Sequence, residues 1–151
     1  MEVRAPYGYV LDSTPISFDV IKENAKSKDD IPVIEVVRTN IAQKGTITVT
    51  KNGEVFSSVS EAKGIYQPIY AVKGLSGAVF TIAAAEDIVT PDGTTRVKKG
   101  TLVDTITTDA KGSAKSKQLY LGKYEVKEIT APTGFPNVPT TRASCTIRAV
   151  L

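Results

Sequence analysis

At 151 residues the chain is long enough for one compact domain with its own core. Hydrophobic residues make up 41% and charged residues 23%, as in ordinary soluble globular proteins. The formal net charge of +3 is scattered rather than gathered into the basic stripe of a nucleic-acid binder, and the chain has no His and one Cys, which excludes His-based acid–base chemistry, Cys–His nucleophilic pairs, an internal disulfide and the usual zinc sites.

No apolar run approaches the roughly 20 residues that span a membrane as a helix. No cofactor is expected, and Cys145 reads as a small buried hydrophobe. In chain order, residues 15–21 alternate apolar and polar and predict a half-buried strand. Residues 22–30 are polar and predict a connection, and residues 32–40 are rich in β-branched side chains and predict a second strand. A short linker, Ile41–Lys44, leads to Gly45, which opens a strand over Thr46–Lys51. Ile47, Val49 and Lys51 share one face of it, because side chains two apart point the same way. Asn52-Gly53 then predicts a tight hairpin, with Glu54–Val59 returning.

Residues 60–74 look irregular, with Tyr66, Pro68 and Tyr70 in the stretch. A strand is predicted over Ala78–Ile82, extending into Ala83–Asp87 or giving way there to a helical turn. Turns follow at Pro91–Gly93 and Asp109–Gly112, flanking a strand over Thr101–Thr107. Lys123–Glu128 is a further strand with Tyr124, Val126 and Glu128 on one face, and Cys145–Leu151 is the last strand-like segment. Many short strands between Gly, Pro and Asp turns indicate an all-β sandwich.

One motif occurs twice. Residues 2–9 read Glu-Val-Arg-Ala-Pro-Tyr-Gly-Tyr and residues 128–135 read Glu-Ile-Thr-Ala-Pro-Thr-Gly-Phe, an offset of 126 residues. Self-similarity at a fixed period marks a modular array. Met1 stands directly before a motif that otherwise falls late in its repeat, so the chain reads as a fragment cut out of phase, one copy's end preceding the next copy.

From Thr107 through Gly112, and from Leu119-Tyr120-Leu121-Gly122-Lys123-Tyr124-Glu125-Val126 to Ala131-Pro132-Thr133-Gly134-Phe135, the chain resembles the closing half of a SpaA-type, CnaB-like domain. Gly45–Lys51 resembles the opening strand of that family, and Gly74–Phe80 its next strand. The resemblance covers residues 45–135. It implies a prealbumin-like, reverse-immunoglobulin β-sandwich of the kind found in Gram-positive surface proteins and pilins. Residues 1–42 resemble the C-terminal portion of an upstream copy contributing N-terminal strands, and residues 45–151 a module whose usual last strand is missing.

Many domains of this family carry a self-made isopeptide bond between a Lys of the first strand and an Asn or Asp of the last, assisted by a Glu. By resemblance Lys51 matches the nucleophile and Glu128 the assisting acid. Asn40 matches the acceptor of the upstream copy, and Glu2 that copy's equivalent of Glu128. An amine attacks only when neutral, and an apolar core favours both a neutral amine and a protonated carboxyl. The protonated carboxyl then stabilises the oxyanion that forms on the amide. Pattern alone also fits an exposed Lys51 with its stem along the sheet and a solvated Glu128.

No Asn or Asp falls in Cys145–Leu151, and Asn137 lies in a Pro-flanked turn. Closure of Asn40 onto Lys51 within one chain is disfavoured, because parallel neighbours need a crossover of a dozen or more residues. Asp19, on the strand expected at 15–21, is a weaker alternative acceptor, and strand 32–40 of one molecule can instead complete another.

The repeated motif and the resemblance together imply a structural stalk or spacer repeat, which the resemblance places outside the cell, in a Gram-positive cell wall, with neighbouring repeats as partners. An adhesin module contacting a host protein or glycan through residues 60–74 or the loop 86–100 is the alternative, favoured if the aromatic side chains there are exposed. No enzyme is expected. Asp87, Asp92, Asp104 and Asp109 are spread over turns and strands and read as turn chemistry.

Overall fold

Inward positions two residues apart build the core. In the computed structural model, which describes residues 1–21, 33–136 and 143–147 (the side chains of 143–145 excepted), strand β5 (Val79–Ala84) buries Phe80, Ile82 and Ala84 while the residues between them are half-buried. Strand β11 (Gly122–Thr130) buries Tyr124 and Val126 with the same period. These two pair antiparallel at the centre of a four-stranded sheet, with β12 (Ala143–Ile147) beyond β11 and β8 (Leu102–Thr107) beyond β5.

The opposite layer is made of short pairs. Strand β1 (Lys44–Gly45) pairs with β10 (Leu119–Tyr120), and β2 (Thr48–Thr50) pairs with β9 (Ser113–Lys115). Ile47, Ala114 and Leu119 of this layer join Phe80, Ile82, Ile106, Tyr124 and Val126 in one cluster, with Val49 and Ile147 packed against it. The molecule is thus an all-β sandwich, and the described residues contain no helix. Tyr120 is flanked by Lys44 Nζ at 4.7 Å and Arg96 at 5.4 Å from the ring centroid, which ties the β1–β10 edge to the adjoining hairpin of β6 (Ile88–Val89) and β7 (Thr95–Val97).

Buried hydroxyls take up backbone groups just beyond the strand ends. Thr108 accepts from Ala78 N–H at 3.0 Å and donates to the Leu75 carbonyl at 2.7 Å. Ser116 accepts from Ile47 N–H at 2.9 Å and donates to the Lys117 carbonyl at 2.8 Å. The four turn and strand aspartates satisfy backbone N–H groups, as their sequence contexts indicate: Asp87 at Lys99, Asp92 at Thr94, Asp104 at Thr105 and Lys117, Asp109 at Lys111 and Ser113. The Ser113 and Lys111 amides hold the exposed Asp109 carboxyl below its ordinary value of 3.8; the Lys99 amide lowers Asp87 likewise, and the Thr90 hydroxyl, with the Thr94 amide, lowers Asp92. A carboxyl whose folded value is depressed stabilises the fold above its unfolded value and loses that contribution as pH falls through the folded one. Urea midpoints should therefore hold steady down to about pH 4 and drop below it, with a shallower drop in Asp109→Asn.

Four expectations are corrected. Residues 15–21 form no strand, and Ile16, Phe18, Val20 and Ile21 are all exposed. Residues 33–40 also form no strand, with Val33 and Val37 exposed; residue 32 and the connection 22–30 lie outside the described residues. Both segments have a strand-like pattern, but no sheet edge of this sandwich is paired with them. The third correction concerns Asn52-Gly53, which is not a turn. It begins a long strand β3 (Asn52–Ala62) that pairs with β4 (Ile65–Gly74), so the irregular stretch at 60–74 is a hairpin arm. Its two-residue turn is Lys63-Gly64, at φ of 54° and 76°. Fourth, the loop 86–100 contains the β6–β7 hairpin around the Pro91–Gly93 turn.

The β3–β4 ribbon is exposed on both faces along most of its length. Its base is seated where Gly53 approaches Leu75 and Phe135. Beyond that, Phe56 and Tyr70 meet edge to face at 6.4 Å, a contact worth about 0.5–1.5 kcal/mol. A two-stranded ribbon without a covering layer is marginal in water. Hydrogen exchange should show the amides from Ser58 to Ile69 opening well before those of β5 and β11.

Candidate functional site

Lys51 is placed by backbone before its side chain is considered. Its N–H donates to the Gly112 carbonyl at 2.8 Å and its carbonyl accepts from Leu75 N–H at 2.9 Å. Residue 51 is thereby clamped between the 109–112 turn and the end of β4. Two glycines make the clamp possible. A Cβ on Gly112, at φ +75°, would sit 2.4 Å from the Lys51 carbonyl oxygen, and a Cβ on Gly74 would sit 2.0 Å from that of Lys111. Sequence reading missed both; a glycine inside the turn signal and one ending the irregular stretch were its only traces.

From this clamp Lys51 Nζ reaches Glu128 Oε2 at 2.9 Å. Glu128 follows Tyr124 and Val126 on the inward face of β11 and stands opposite Phe80 of β5. Its side chain is 7% exposed and that of Lys51 is 30% exposed. The face assignments from the sequence are thus met for both residues, and the two are brought together from 77 positions apart. A β-bulge follows at once, between Glu128 and Thr130, which ends the regular register just past the carboxylate.

Lys51→Met should cost on the order of 1–3 kcal/mol in urea unfolding, between an exposed pair and a fully buried one, because the lysine end is partly hydrated. An unchanged midpoint would mean that the pair contributes nothing to the sandwich.

The N-terminal segment holds a second pairing of the same kinds of group. Asn40 Nδ2 donates to Glu2 Oε1 at 2.8 Å, across 38 positions. Glu2 Oε2 accepts from Asp12 N–H at 3.0 Å, and Asp12 is ion-paired with Arg38 at 2.6 Å. Arg38 also donates to the Thr14 carbonyl. Residues 2–14 and 38–40 are therefore tied together by polar contacts rather than by a β-ladder. Tyr9 and Ala42 form an isolated bridge, Val10 N–H donates to the Ile41 carbonyl at 2.8 Å, and Gln43 N–H to that of Gly8 at 2.7 Å.

The structure thus brings together Lys51 with Glu128 and, separately, Asn40 with Glu2. Asp19 is exposed in a segment that forms no strand. Asn137 and the side chain of Cys145 lie outside the described residues.

The model of the SpaA prealbumin-like fold domain matches residues 70–149, more than half of the chain. The chain belongs to this family. The match begins further along than the resemblance at 45–135 and runs through the last strand. Among solved structures, the T6 backbone pilin of serotype M6 Streptococcus pyogenes, described as a modular three-domain structure decorated with variable loops and extensions, is similar at 24% identity with a TM-score of 0.41. That likeness covers 70% of this chain and 16% of the pilin chain. Comparison with curated proteins finds no match.

Proposed function

We propose that this chain is a structural repeat, a stalk or spacer module of a cell-wall-associated surface protein or pilin, whose copies are stiffened by isopeptide bonds. In this reading residues 1–42 are the C-terminal portion of an upstream copy and residues 45–151 a following module, both extracellular on a Gram-positive cell, with neighbouring repeats as partners. The observation that carries it is the Lys51–Glu128 pair, an amine and a carboxylate 2.9 Å apart at the core face of β11. The Glu2–Asn40 bond supports the assignment of the complementary groups, a carboxyl and an acceptor amide, to the upstream copy.

The step would join Lys51 Nζ to the side-chain carbonyl carbon of an asparagine, forming one amide bond and breaking another. The asparagine nitrogen leaves as ammonia, taking a proton from the attacking amine. Glu128 is placed to carry that proton and to hydrogen-bond the oxygen on which charge develops. Asn40 in this chain is bonded to Glu2, so the intact mass of the chain alone should be unchanged. A synthetic peptide of residues 33–42 offers Asn40 in trans. Incubation should give a covalent adduct weighing chain plus peptide less one ammonia, lost in Lys51→Ala and with an Asn40→Ala peptide. Absence of adduct at saturating peptide would count against the chemistry.

A second reading, an adhesin module contacting a host protein or glycan, is favoured by one observation. Tyr66 is 68% and Tyr70 58% exposed on the projecting ribbon, and Phe56 beside them is 58% exposed. Exposed aromatics near one another are common in binding surfaces. Register places Phe56, Val59, Tyr66, Pro68 and Tyr70 on one face of the ribbon, between Glu54 and Glu61. Binding to a panel of immobilised host matrix proteins and glycans should be lost in Phe56→Ser/Tyr66→Ser/Tyr70→Ser. Equal binding by that variant, or none by the chain itself, would remove this reading.

A further inference from the structure

The two copies of the repeated motif fold into the same turn but are covered on opposite sides. Tyr9 N–H donates to the Pro6 carbonyl at 3.1 Å, and Phe135 N–H to that of Pro132 at 3.0 Å. Gly8 and Gly134 sit at φ +81° and +86°. In the first copy the glycine is buried and the proline exposed. In the second copy the proline is buried and the glycine exposed.

The first copy's covered side meets this module. A Cβ on Gly8 would lie 2.8 Å from Pro91 Cγ and 3.8 Å from Leu121 Cδ1, so backbone rests directly on the β6–β7 turn. An open hollow of about 870 Å³ runs along the rest of the turn, lined by Ala5, Pro6, Gly8, Tyr9 and Leu11 among others. The second copy's covered side meets the module it ends, with Phe135 against Gly53. At Gly134 a Cβ would meet nothing within 4 Å among the described residues.

We propose that the Ala-Pro-x-Gly-aromatic turn is a two-sided joint between consecutive copies of this repeat. Its proline side seats on the module that the turn closes. Its glycine tip seats on the Pro91–Leu121 ridge of the next copy. Each copy in this chain shows the half that the other lacks, so the Gly134 tip is a docking surface whose occupant is the Pro91 turn of a following copy. The hollow beside Pro6 is likewise the place of a preceding copy's body. The glycine is required twice over: for the left-handed φ of the turn, and because any side chain would hold the next module's proline away.

This inference rests on the reading of the chain as part of a repeat array, and its test is kept separate from the cross-link. A tandem chain in which Met1–Lys127 runs directly into Glu2–Leu151 places one complete motif between two modules. It is prepared with Lys51→Ala in both copies, so that no isopeptide bond contributes. Small-angle X-ray scattering should fit one fixed arrangement of the two modules. Gly8→Val in the second copy should convert this to a broad distribution of orientations with unchanged circular dichroism. Pro91→Ser in the second copy reaches the same contact from an exposed turn and should do likewise if the valine variant fails to fold. Free orientation in the unsubstituted tandem, or a fixed arrangement that survives either a folded Gly8→Val or Pro91→Ser, would overturn the joint.

Discussion

Tyr124→Ala should lower the unfolding free energy by about 3–5 kcal/mol, the range for emptying a large aromatic site in a core. Tyr124 is 1% exposed, among the largest fully buried side chains, and it stands between Ala84 of β5 and Cys145 of β12 in the register of the main sheet. Its removal strips contacts from the sheet and leaves a void that the short strands opposite cannot close by shifting, because the backbone at Ile47 is fixed by the Ser116 hydroxyl. Tyr124 also donates through its hydroxyl to the Tyr120 carbonyl at 2.8 Å. Tyr124→Phe isolates that bond and should cost about 1 kcal/mol. Urea unfolding with an unchanged m-value reads both. A loss below about 1.5 kcal/mol for the alanine variant would mean that the site collapses freely, contrary to the packing described.

Gly112→Ala should cost about 2–5 kcal/mol and should displace Lys51. The left-handed φ contributes about 1–2 kcal/mol of strain for a residue with a Cβ. The remainder comes from pushing the Lys51 carbonyl off Leu75 N–H, which leaves buried polar groups unmet at about 1–3 kcal/mol. Gly74→Ala tests the steric part alone, since Gly74 lacks a positive φ but abuts the Lys111 carbonyl. Gly77→Ala tests the strain part alone, at φ +81° with open space around its Cβ. Gly77→Ala should therefore be the mildest of the three. A cost at Gly112 no larger than that at Gly77, with Gly74→Ala nearly neutral, would show that backbone strain, rather than the clamp on Lys51, governs this corner.

The sandwich was legible where one face of a strand is buried. Alternation in β5 and β11 reports a core on one side, and the same parity put Lys51 and Glu128 on inward faces before any contact was known. The turns at residues 91–93 and 109–112 were legible because Asp92 and Asp109 cap their own backbones. Of the β3–β4 ribbon only the strand over Glu54–Val59 was legible, because neither face is covered by a second layer and residues 60–74 carry no periodic signal of burial. Asn52-Gly53 has strong turn chemistry, but the backbone of residue 51 is already engaged by Gly112 and Leu75, which carries the chain straight on into a strand. The actual turn uses Lys63, a residue with no special tolerance for positive φ, beside Gly64.

The N-terminal segment shows the opposite limit. Residues 15–21 and 33–40 have the composition of strands, yet a strand exists only where another strand pairs with it. The pairing of Glu2 with Asn40 was foreshadowed by the repeat, since Glu2 occupies the place of Glu128 at an offset of 126 residues. The clamp around Lys51 was not, because it depends on close backbone approach at glycines distant in sequence.

In the proposed array the cross-linking groups are shared between consecutive copies, with Lys51 and an assisting glutamate meeting the asparagine 38 positions beyond that glutamate. The most direct measurement is the intact mass of the tandem chain, Met1–Lys127 followed by Glu2–Leu151, with Lys51 retained. In that chain the first Lys51 is followed in its own module by the second copy's Glu2 and Asn40. The expected result is the loss of one ammonia, with the second copy's Asn40 joined to the first Lys51 in tandem mass spectra and no loss when that lysine is alanine. An unchanged mass in a folded tandem chain would contradict the claim.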